Sequence, residues 1–376
     1  MKEGWEYKKF ESCLVKVPKQ VQIKSKDYKK EGKFPIVSQE ADLISGYWDD
    51  ETIVYKHKEP VVIFGDHTKN IKYVDFNFIV GADGTHIFST IKDINPKFFY
   101  YVLKSIKLRE LGYARHYKLL KEKYIPVPPL SEQQTIVDYL DSSFAKIDEL
   151  KANAAKALNE AKALFQKALT KAMEPKEGWE EKKLGEVCDI FGRIGFRGYT
   201  TKDLVPSAEE GAISLSPSNI QDGKMDYSKC TYISWFKYEE SPEIKIYNGD
   251  ILLVKTGSSY GKSALVENLP HEATINPQSV VLKNTKINTR FFAYQIRTNR
   301  VLEEFDKFVS GTAIPTFSQT KLSTVPILFP SEKEQQRIVS RLDSLSAHVR
   351  ELEEVLQKTI AECDALKQAL LRAVFE

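Results

Sequence analysis

The chain has 376 residues, a length that suggests two or three domains. Its 42% hydrophobic and 28% charged residues form an ordinary globular mixture and exclude global disorder. The net charge of +3 is unevenly spread: residues 1–130 hold 23 basic and 17 acidic side chains, whereas 176–330 hold 19 of each, so charge alone leaves nucleic acid open as a partner. No run approaches the roughly 18 apolar residues of a membrane helix. The opening Met1–Phe10 lacks the apolar core of a signal peptide, so a cytoplasmic location is expected. Cys13, Cys188, Cys230 and Cys363 contain no C-x-x-C pair and read as reduced, mostly buried thiols, with no metal site.

In chain order, residues 1–130 read as a mixed α/β domain. Strand-like runs stand at Pro60–Phe64 and Phe76–Val80, a turn at Gly81–Gly84, and a helix is expected over Pro96–Glu110. Residues 131–175 read as one long helix with an apolar stripe of Ile136, Leu140, Phe144, Ile147, Leu150, Leu158, Leu164, Phe165 and Leu169. Alanines at 154, 157, 161 and 168 leave room for a partner helix. Residues 176–330 form a second α/β domain, with strands at Asp250–Val254 and Ser279–Leu282 and a helix over Thr289–Phe308. A second long helix follows over 331–376, where Ser331 and Glu334 have capping-box spacing. Its heptads give one seam of Leu342, Val349, Leu356, Cys363 and Leu370, and another of Ile338, Leu345, Leu352, Thr359, Leu366 and Ala373.

The chain is written twice. Lys2-Glu-Gly-Trp-Glu-Tyr-Lys-Lys-Phe10 returns as Lys176-Glu-Gly-Trp-Glu-Glu-Lys-Lys-Leu184. Pro126-Val-Pro-Pro-Leu-Ser-Glu-Gln-Gln-Thr-Ile-Val137 returns, two residues longer, as Pro326 to Val339. Between these markers the halves differ, so the frame reads as duplicated and the contents do not. The fold class expected is α/β (α+β): two globular domains joined by two long antiparallel coiled-coil helices, with a pseudo-two-fold internal repeat. A helix of ~43 residues at ~1.5 Å each is ~65 Å long, more than one ~34 Å turn of DNA.

No complete catalytic constellation emerges. Gly257-Ser-Ser-Tyr-Gly261-Lys262 has three residues between its glycines where a P-loop needs four, and a strand is expected after it. The six histidines show no metal-ligand spacing. Asn95-Pro-Lys-Phe98 and Asn276-Pro-Gln-Ser279 lack the second proline of a DNA amino-methyltransferase motif. Asp/Glu-x-Lys triplets are too frequent in this Lys-rich chain to mark a nuclease. Basic and aromatic residues on turn-rich segments do match nucleic-acid chemistry, since Arg and Lys bind guanine edges and Ser and Thr bind phosphate. The candidates are Lys69, Lys72, Tyr113, Arg115, His116 and Tyr117 in the first domain. In the second they are Arg193, Arg197, Lys255, Ser258, Ser259, Tyr260, Lys262, Thr312 and Thr316.

These markers together resemble the specificity subunit of type I restriction-modification systems. The resemblance rests on Gly-Trp-Glu-x-Lys-Lys opening each half, on Gly249-Asp-Ile-Leu-Leu-Val-Lys-Thr-Gly257 with Gly261-Lys262, and on Gly311-Thr-Ala-Ile-Pro-Thr-Phe317. Gly112-Tyr-Ala-Arg-His-Tyr117 and the Pro-rich leads into Ser-Glu-Gln-Gln complete it. It implies target-recognition domains over 1–130 and 176–330, spacer helices over 131–175 and 331–376, and a bipartite double-stranded DNA target. It implies no catalysis and no cofactor in this chain, with S-adenosylmethionine, ATP and Mg bound by partners. Those partners are two adenine methyltransferase subunits and, through them, the restriction-translocase subunits. Glu132, Gln133, Gln134, Glu334, Gln335 and Gln336 are the expected docking residues. The net +6 of the first domain suggests that it supplies more of the phosphate affinity, through Lys69, Lys72 and Arg115. The competing readings are a protein-only coiled-coil scaffold and a component of a fused restriction-methylation enzyme.

Overall fold

The computed structural model describes residues 4–82, 84–109, 114–309 and 315–376, without the side chain of residue 196. Four helices carry the frame: α1 (Pro96–Ser105), α2 (Leu130–Ala172), α3 (Thr289–Ile296) and α4 (Glu332–Phe375). The chain forms two compact units, Met1–Ala157 with Val355–Glu376, and Leu158–Glu354, so each long helix gives a part to each unit.

In the first unit the two repeated sequence markers are strand partners. Glu6–Lys9 runs antiparallel to Tyr124–Val127, the strand that leads into α2. In the second unit Glu180–Lys183 pairs in the same way with Pro326–Phe329, before α4. The markers recur because each pair is one structural joint between a domain and its helix. Asn95 caps α1 by accepting from the amides of Lys97 (2.8 Å) and Phe98 (3.2 Å), with Pro96 at the first helical position. Asn288 caps α3 by accepting from the amide of Phe291 at 3.0 Å.

Between these joints the sequences differ but the centres of the sheets share one strand order, so the duplication reaches further into the contents than the sequence showed, while the edge strands differ. In the first unit an antiparallel sheet runs Leu14–Val15, Thr85–Thr90, Val61–Gly65, Ile71–Val74. In the second the order is Asp189–Gly192, Ser279–Lys283, Ile251–Val254, Ser263–Leu265, extended by Lys224–Met225 and Ile220–Gln221. Val61–Gly65 therefore occupies the place of Ile251–Val254. Each unit also has a second sheet with the same three-strand centre. Phe34–Val37 is parallel to Ile79–Gly81 and antiparallel to Gly46–Trp48. Gly211–Leu215 is parallel to Ala273–Ile275 and antiparallel to Tyr232–Ser234. What the halves share is a pattern of buried apolar strands, which many sequences satisfy.

The first core joins Phe10, Phe64, Phe88, Phe98 and Phe99 to Val137 and Leu140 of α2 and Leu371 of α4. The second joins Leu253, Val280, Phe291 and Phe292 to Leu169 of α2 and to Ile338 and Leu342 of α4. Within each unit the two long helices run antiparallel. Lys151 meets Asp364 at 2.7 Å and Lys367 meets Asp148 in the first unit. Lys162 feels Glu353 in the second, while Leu169, further along α2, joins residues earlier in α4. Ala154 and Ala161 are buried, as their size suggested. One α4 seam, from Leu342 to Leu370, is buried or half-buried throughout. The other reaches the surface: Leu352 and Leu366 are exposed, as are Leu150 and Leu164 of α2. The helix expected over Thr289–Phe308 is two helices, α3 and Asn299–Asp306, with extended Thr298 between them, and α1 ends at Ser105, short of Glu110.

Burial pushes the thiol of Cys13 up to about 11 and that of Cys188 up to about 12. A folded-state value above the unfolded one gives stability that is complete below about pH 9 and is lost as pH rises through these values. Native protein at pH 8 is expected to be labelled by a thiol reagent first at half-buried Cys230, with Cys13, Cys188 and Cys363 protected until the chain unfolds. Site-resolved mass spectrometry of the labelled chain checks this. Fast labelling of Cys188 in folded protein would contradict the core as described.

Candidate nucleic-acid interface

The sheets determine which loops meet. In the second unit Gly192 stands opposite Val280, and Val254 opposite Ser279. The segments after Gly192, after Val254 and before Ser279 therefore leave from one edge. The amides of Lys255 and Thr256 donate to the Gln278 carbonyl at 2.8 and 3.2 Å. Gly257 (φ +97°) and Gly261 (φ +81°) turn the chain through left-handed backbone that a side chain disfavours. Gly261 N–H donates to Val254 O at 2.9 Å and Val254 N–H to Lys262 O at 2.8 Å, closing the loop. A strand, Ser263–Leu265, follows it and not a helix, as expected.

The segment 315–317, distant in sequence, lies on this loop. Gly257 N–H donates to Pro315 O at 2.9 Å, Phe317 N–H to Lys255 O at 3.2 Å, and the Thr256 and Thr316 hydroxyls are 2.8 Å apart. Ser258, Lys262 and Thr316 are exposed, and Lys255 and Ser259 half-buried. Among the described residues the Lys255 ammonium has no carboxylate partner, and burial holds its pKa below that of an ordinary lysine.

The first unit gathers the same loops. Gly65 stands opposite Thr85, and Asp66, just beyond, has a side chain only 5% exposed that organises the rest. Asp66 N–H donates to Gly84 O at 2.8 Å, and the Asp66 carbonyl accepts from His116 N–H at 2.9 Å. Its carboxylate accepts from Tyr117 N–H at 2.7 Å and lies 3.3 Å from His86 Nε2. Segment 114–117 thus rests on the loop after Val61–Gly65, as 315–317 rests on the loop after Ile251–Val254. Gln39 ties in a further loop: its carbonyl accepts from Thr68 Oγ1 (2.6 Å) and Asn70 Nδ2 (2.9 Å). Lys69 sits at the turn with φ +59°, and the Arg115 side chain is 79% exposed.

Several candidates have structural tasks inside their domains. The Lys72 ammonium is buried and donates to the Asp42 carbonyl, and burial depresses its pKa. His116 is fully buried with Nδ1 at 3.0 Å from Asp66 O, and Tyr117 stacks on His86 at 4.2 Å. The Arg193 guanidinium is buried, donating to Ile275 O (3.1 Å) and Thr274 Oγ1 (3.2 Å). Its neighbour Arg197 pairs with Glu243 at 3.4 Å, and the Tyr260 hydroxyl donates to Asp306. Lys72, His116 and Arg193 are therefore buried and committed to contacts within their own domains. Tyr113 and Thr312 lie outside the described residues.

The six docking candidates divide similarly. Gln133 and Gln335 are buried, each accepting at 2.8 Å from the amide of the helix-capping asparagine, Asn95 or Asn288. Their amino groups donate to Pro128 O and Pro330 O, both at 2.8 Å. They are internal clamps. Gln134 and Gln336 are exposed and accept from the Asn95 and Asn288 side chains at 3.0 and 3.2 Å. Glu132 accepts from Trp5 Nε1 at 2.9 Å, and Glu334 pairs with Arg337. Sequence reasoning missed Asp66, Gln39 and Gln278, whose roles come from long-range backbone contacts that leave no local pattern. It also missed the recurrence of Asn-x-Lys/Arg-Phe-Phe-x-Tyr at 95–101 and 288–294, which was legible.

Among the described residues no helix is long and apolar enough to cross a membrane, and no group of three or more His, Cys, Asp or Glu could hold a metal. The two units thus gather loops from equivalent strand ends, and those loops carry different side chains. The description "Type I restriction modification DNA specificity domain" matches residues 2–160 and again 176–362, and the chain belongs to that family. It is 28% identical over 364 residues to the EcoR124I/EcoR124II specificity subunit of Escherichia coli, covering 91% of this chain and 87% of that one. It is 25% identical over 246 residues to the MjaVIII specificity subunit of Methanocaldococcus jannaschii, covering 61% and 56%. The fold is that of a chain solved in a study of complex assembly and conformational transition of the type I R-M system. That match has TM-score 0.71, 20% identity, and covers 100% of this chain and 98% of that one. The HsdS subunit from Thermoanaerobacter tengcongensis is similar at TM-score 0.52 and 20% identity, over 99% and 97%.

Proposed function

We propose that the chain is the DNA-specificity subunit of a type I restriction-modification enzyme, each recognition domain reading one half of a bipartite target. The observation that carries this is the matched loop cluster: the loop after the central strand, braced by segment 114–117 or 315–317, in both units. Loops at equivalent places in the two sheets bear Lys69 and Arg115 in one domain and Lys255, Ser258, Lys262 and Thr316 in the other, as expected for two different half-sites. The long helices set the gap, and residues at their starts (exposed Glu132, Gln134 and Gln336 and half-buried Glu334) dock two adenine methyltransferase subunits, through which restriction-translocase subunits are recruited. The chain acts without catalysis or cofactor of its own; S-adenosylmethionine, ATP and Mg belong to the partners, and the complex works in the cytoplasm.

Single-molecule methylation mapping tests this, with the chain co-expressed beside its methyltransferase in a methylation-free host. The expected result is a new methyladenine motif of two short half-sites around a constant gap, from which replacing one domain changes one half only. A stable complex that methylates no defined motif would overturn the assignment in favour of a protein scaffold.

A further inference from the structure

We propose that two polar latches, Lys97–Tyr101–Asp141 and Arg290–Tyr294–Asp343, set the pose of each recognition domain on its spacer helix and so the gap between half-sites that the protein accepts. This rests on the specificity reading above. In the first unit the Tyr101 hydroxyl donates to one oxygen of Asp141, and Lys97 Nζ reaches the other at 2.7 Å. In the second the Tyr294 hydroxyl donates to Asp343 at 2.7 Å, with Arg290 Nη1 3.5 Å from the same carboxylate. The spacing is conserved between the copies: cap Asn, cation and Tyr at i, i+2 and i+6, and the two Gln and Asp at i, i+1 and i+8. The arrangement thus occurs twice, in domains whose intervening sequences are otherwise dissimilar.

Its placement gives it leverage. Strand Thr85–Thr90 runs beside the strand that bears the Asp66 loop, and α1 follows it directly; Ser279–Lys283 and α3 stand likewise to the Lys255 loop. The phenylalanines of α1 and α3 bury apolar area against the spacer helix, and that attraction is non-directional, permitting rotation or sliding. A charge-assisted hydrogen bond is directional and shorter-ranged, so the Tyr–Asp contact with the Asn–Gln clamp selects one orientation. Tyr101 and Tyr294 are 5% and 8% exposed. Burial, reinforced by the carboxylate, keeps both phenols protonated far above the ordinary range, so each remains a donor.

The second unit has an additional brace. Asp222 (φ +48°) and Gly223 (φ +78°) form the tip of the Ile220–Met225 ribbon. The Asp222 carbonyl accepts from Arg297 Nη2 at 2.8 Å, and its carboxylate meets Lys162 of α2 at 2.9 Å. A Cβ at residue 223 would lie 1.9 Å from Arg297 Cζ, so the guanidinium seats directly under this glycine. Among the described residues the first sheet has no such ribbon, and the first domain depends more on its latch.

The test uses the chain in complex with its methyltransferase and duplexes carrying the mapped target with the native gap, one base pair more, and one fewer. Tyr101→Phe is expected to reduce the preference for the native gap about tenfold, the scale of one hydrogen bond to a charged group, with binding to a single half-site unchanged. Tyr294→Phe should reduce it less, about threefold. Lys97→Arg, which installs the other copy's cation, should keep the full preference. Full gap preference in Tyr101→Phe, or a parallel fall in gap preference and single half-site binding, would overturn the latch. A wild-type complex indifferent to gap length would instead overturn the bipartite reading on which the latch rests.

Discussion

Lys255→Ala is expected to weaken binding of the complex to its cognate duplex ten- to a hundredfold, and to make the slope of log affinity against log salt shallower by about 0.9. The ammonium is half-buried, has no carboxylate partner among the described residues, and hangs from a backbone held at both its amide and its carbonyl. A cation in that setting has lost part of its hydration without a counter-charge, so a phosphate oxygen restores more than it would to a fully solvated lysine. Lys262→Ala, at an exposed position on the same loop, should produce a similar change in slope with a smaller loss of affinity. Lys72→Met is the control that separates position from charge: its ammonium is already committed to Asp42 O, so the salt slope should stay unchanged. Anisotropy titrations at several salt concentrations give all three slopes. An unaltered slope in Lys255→Ala would remove that residue from the interface. The same comparison refines the expectation that the first domain dominates phosphate affinity, because one of the three residues it invoked faces inward.

Gln133→Ala should destabilise the first unit by about 3 kcal/mol, more than Gln335→Ala destabilises the second. The Gln133 side chain satisfies three backbone groups, Asn95 N–H and the carbonyls of Asp93 and Pro128, the last of them buried. Gln335 satisfies two, Asn288 N–H and Pro330 O. Truncation leaves these groups unpaired, and each that water does not reach costs about 1–3 kcal/mol before local relaxation. Hydrogen exchange read at the Asn95 and Asn288 amides reports each unit separately, which matters because a two-unit chain need not unfold in one step. Each amide should lose protection only in its own variant. Unchanged protection at Asn95 in Gln133→Ala would show the clamp to be dispensable.

These two residues illustrate the limit of reading function from recurrence. The Gln-Gln pair stands out because it is repeated, and repetition suggested a partner surface. The structure divides the pair: the first glutamine turns inward to lock the cap of a neighbouring helix, while the second stays at the surface beside it. A side chain's direction on a helix depends on which face meets the core, and in these segments the neighbouring apolar residues (Ile136, Val137 and Leu140; Ile338, Val339 and Leu342) carried that information. Arg193 and His116 were chosen for their chemistry on turn-rich segments, yet their carbonyl acceptors lie 82 and 50 residues away in sequence. No local pattern encodes such a contact.

The sequence by itself determined the duplication, the two long helices and their bounds to within a few residues, the strand runs that became the sheet centres, and the family. All of these follow from short-range periodicity or from repeated markers, which survive in one dimension. Tertiary structure alone decided that the dissimilar contents share the strand order of their sheet centres, that one helix seam runs out to solvent, and which basic residues face outward. It also brought Asp66 under segment 114–117 and laid 315–317 on the Lys255 loop. The physical reason is the same in each case. Burial and hydrogen bonding between segments far apart in the chain assign every polar group either a partner inside or water outside, and that assignment exists only once the sheets are closed.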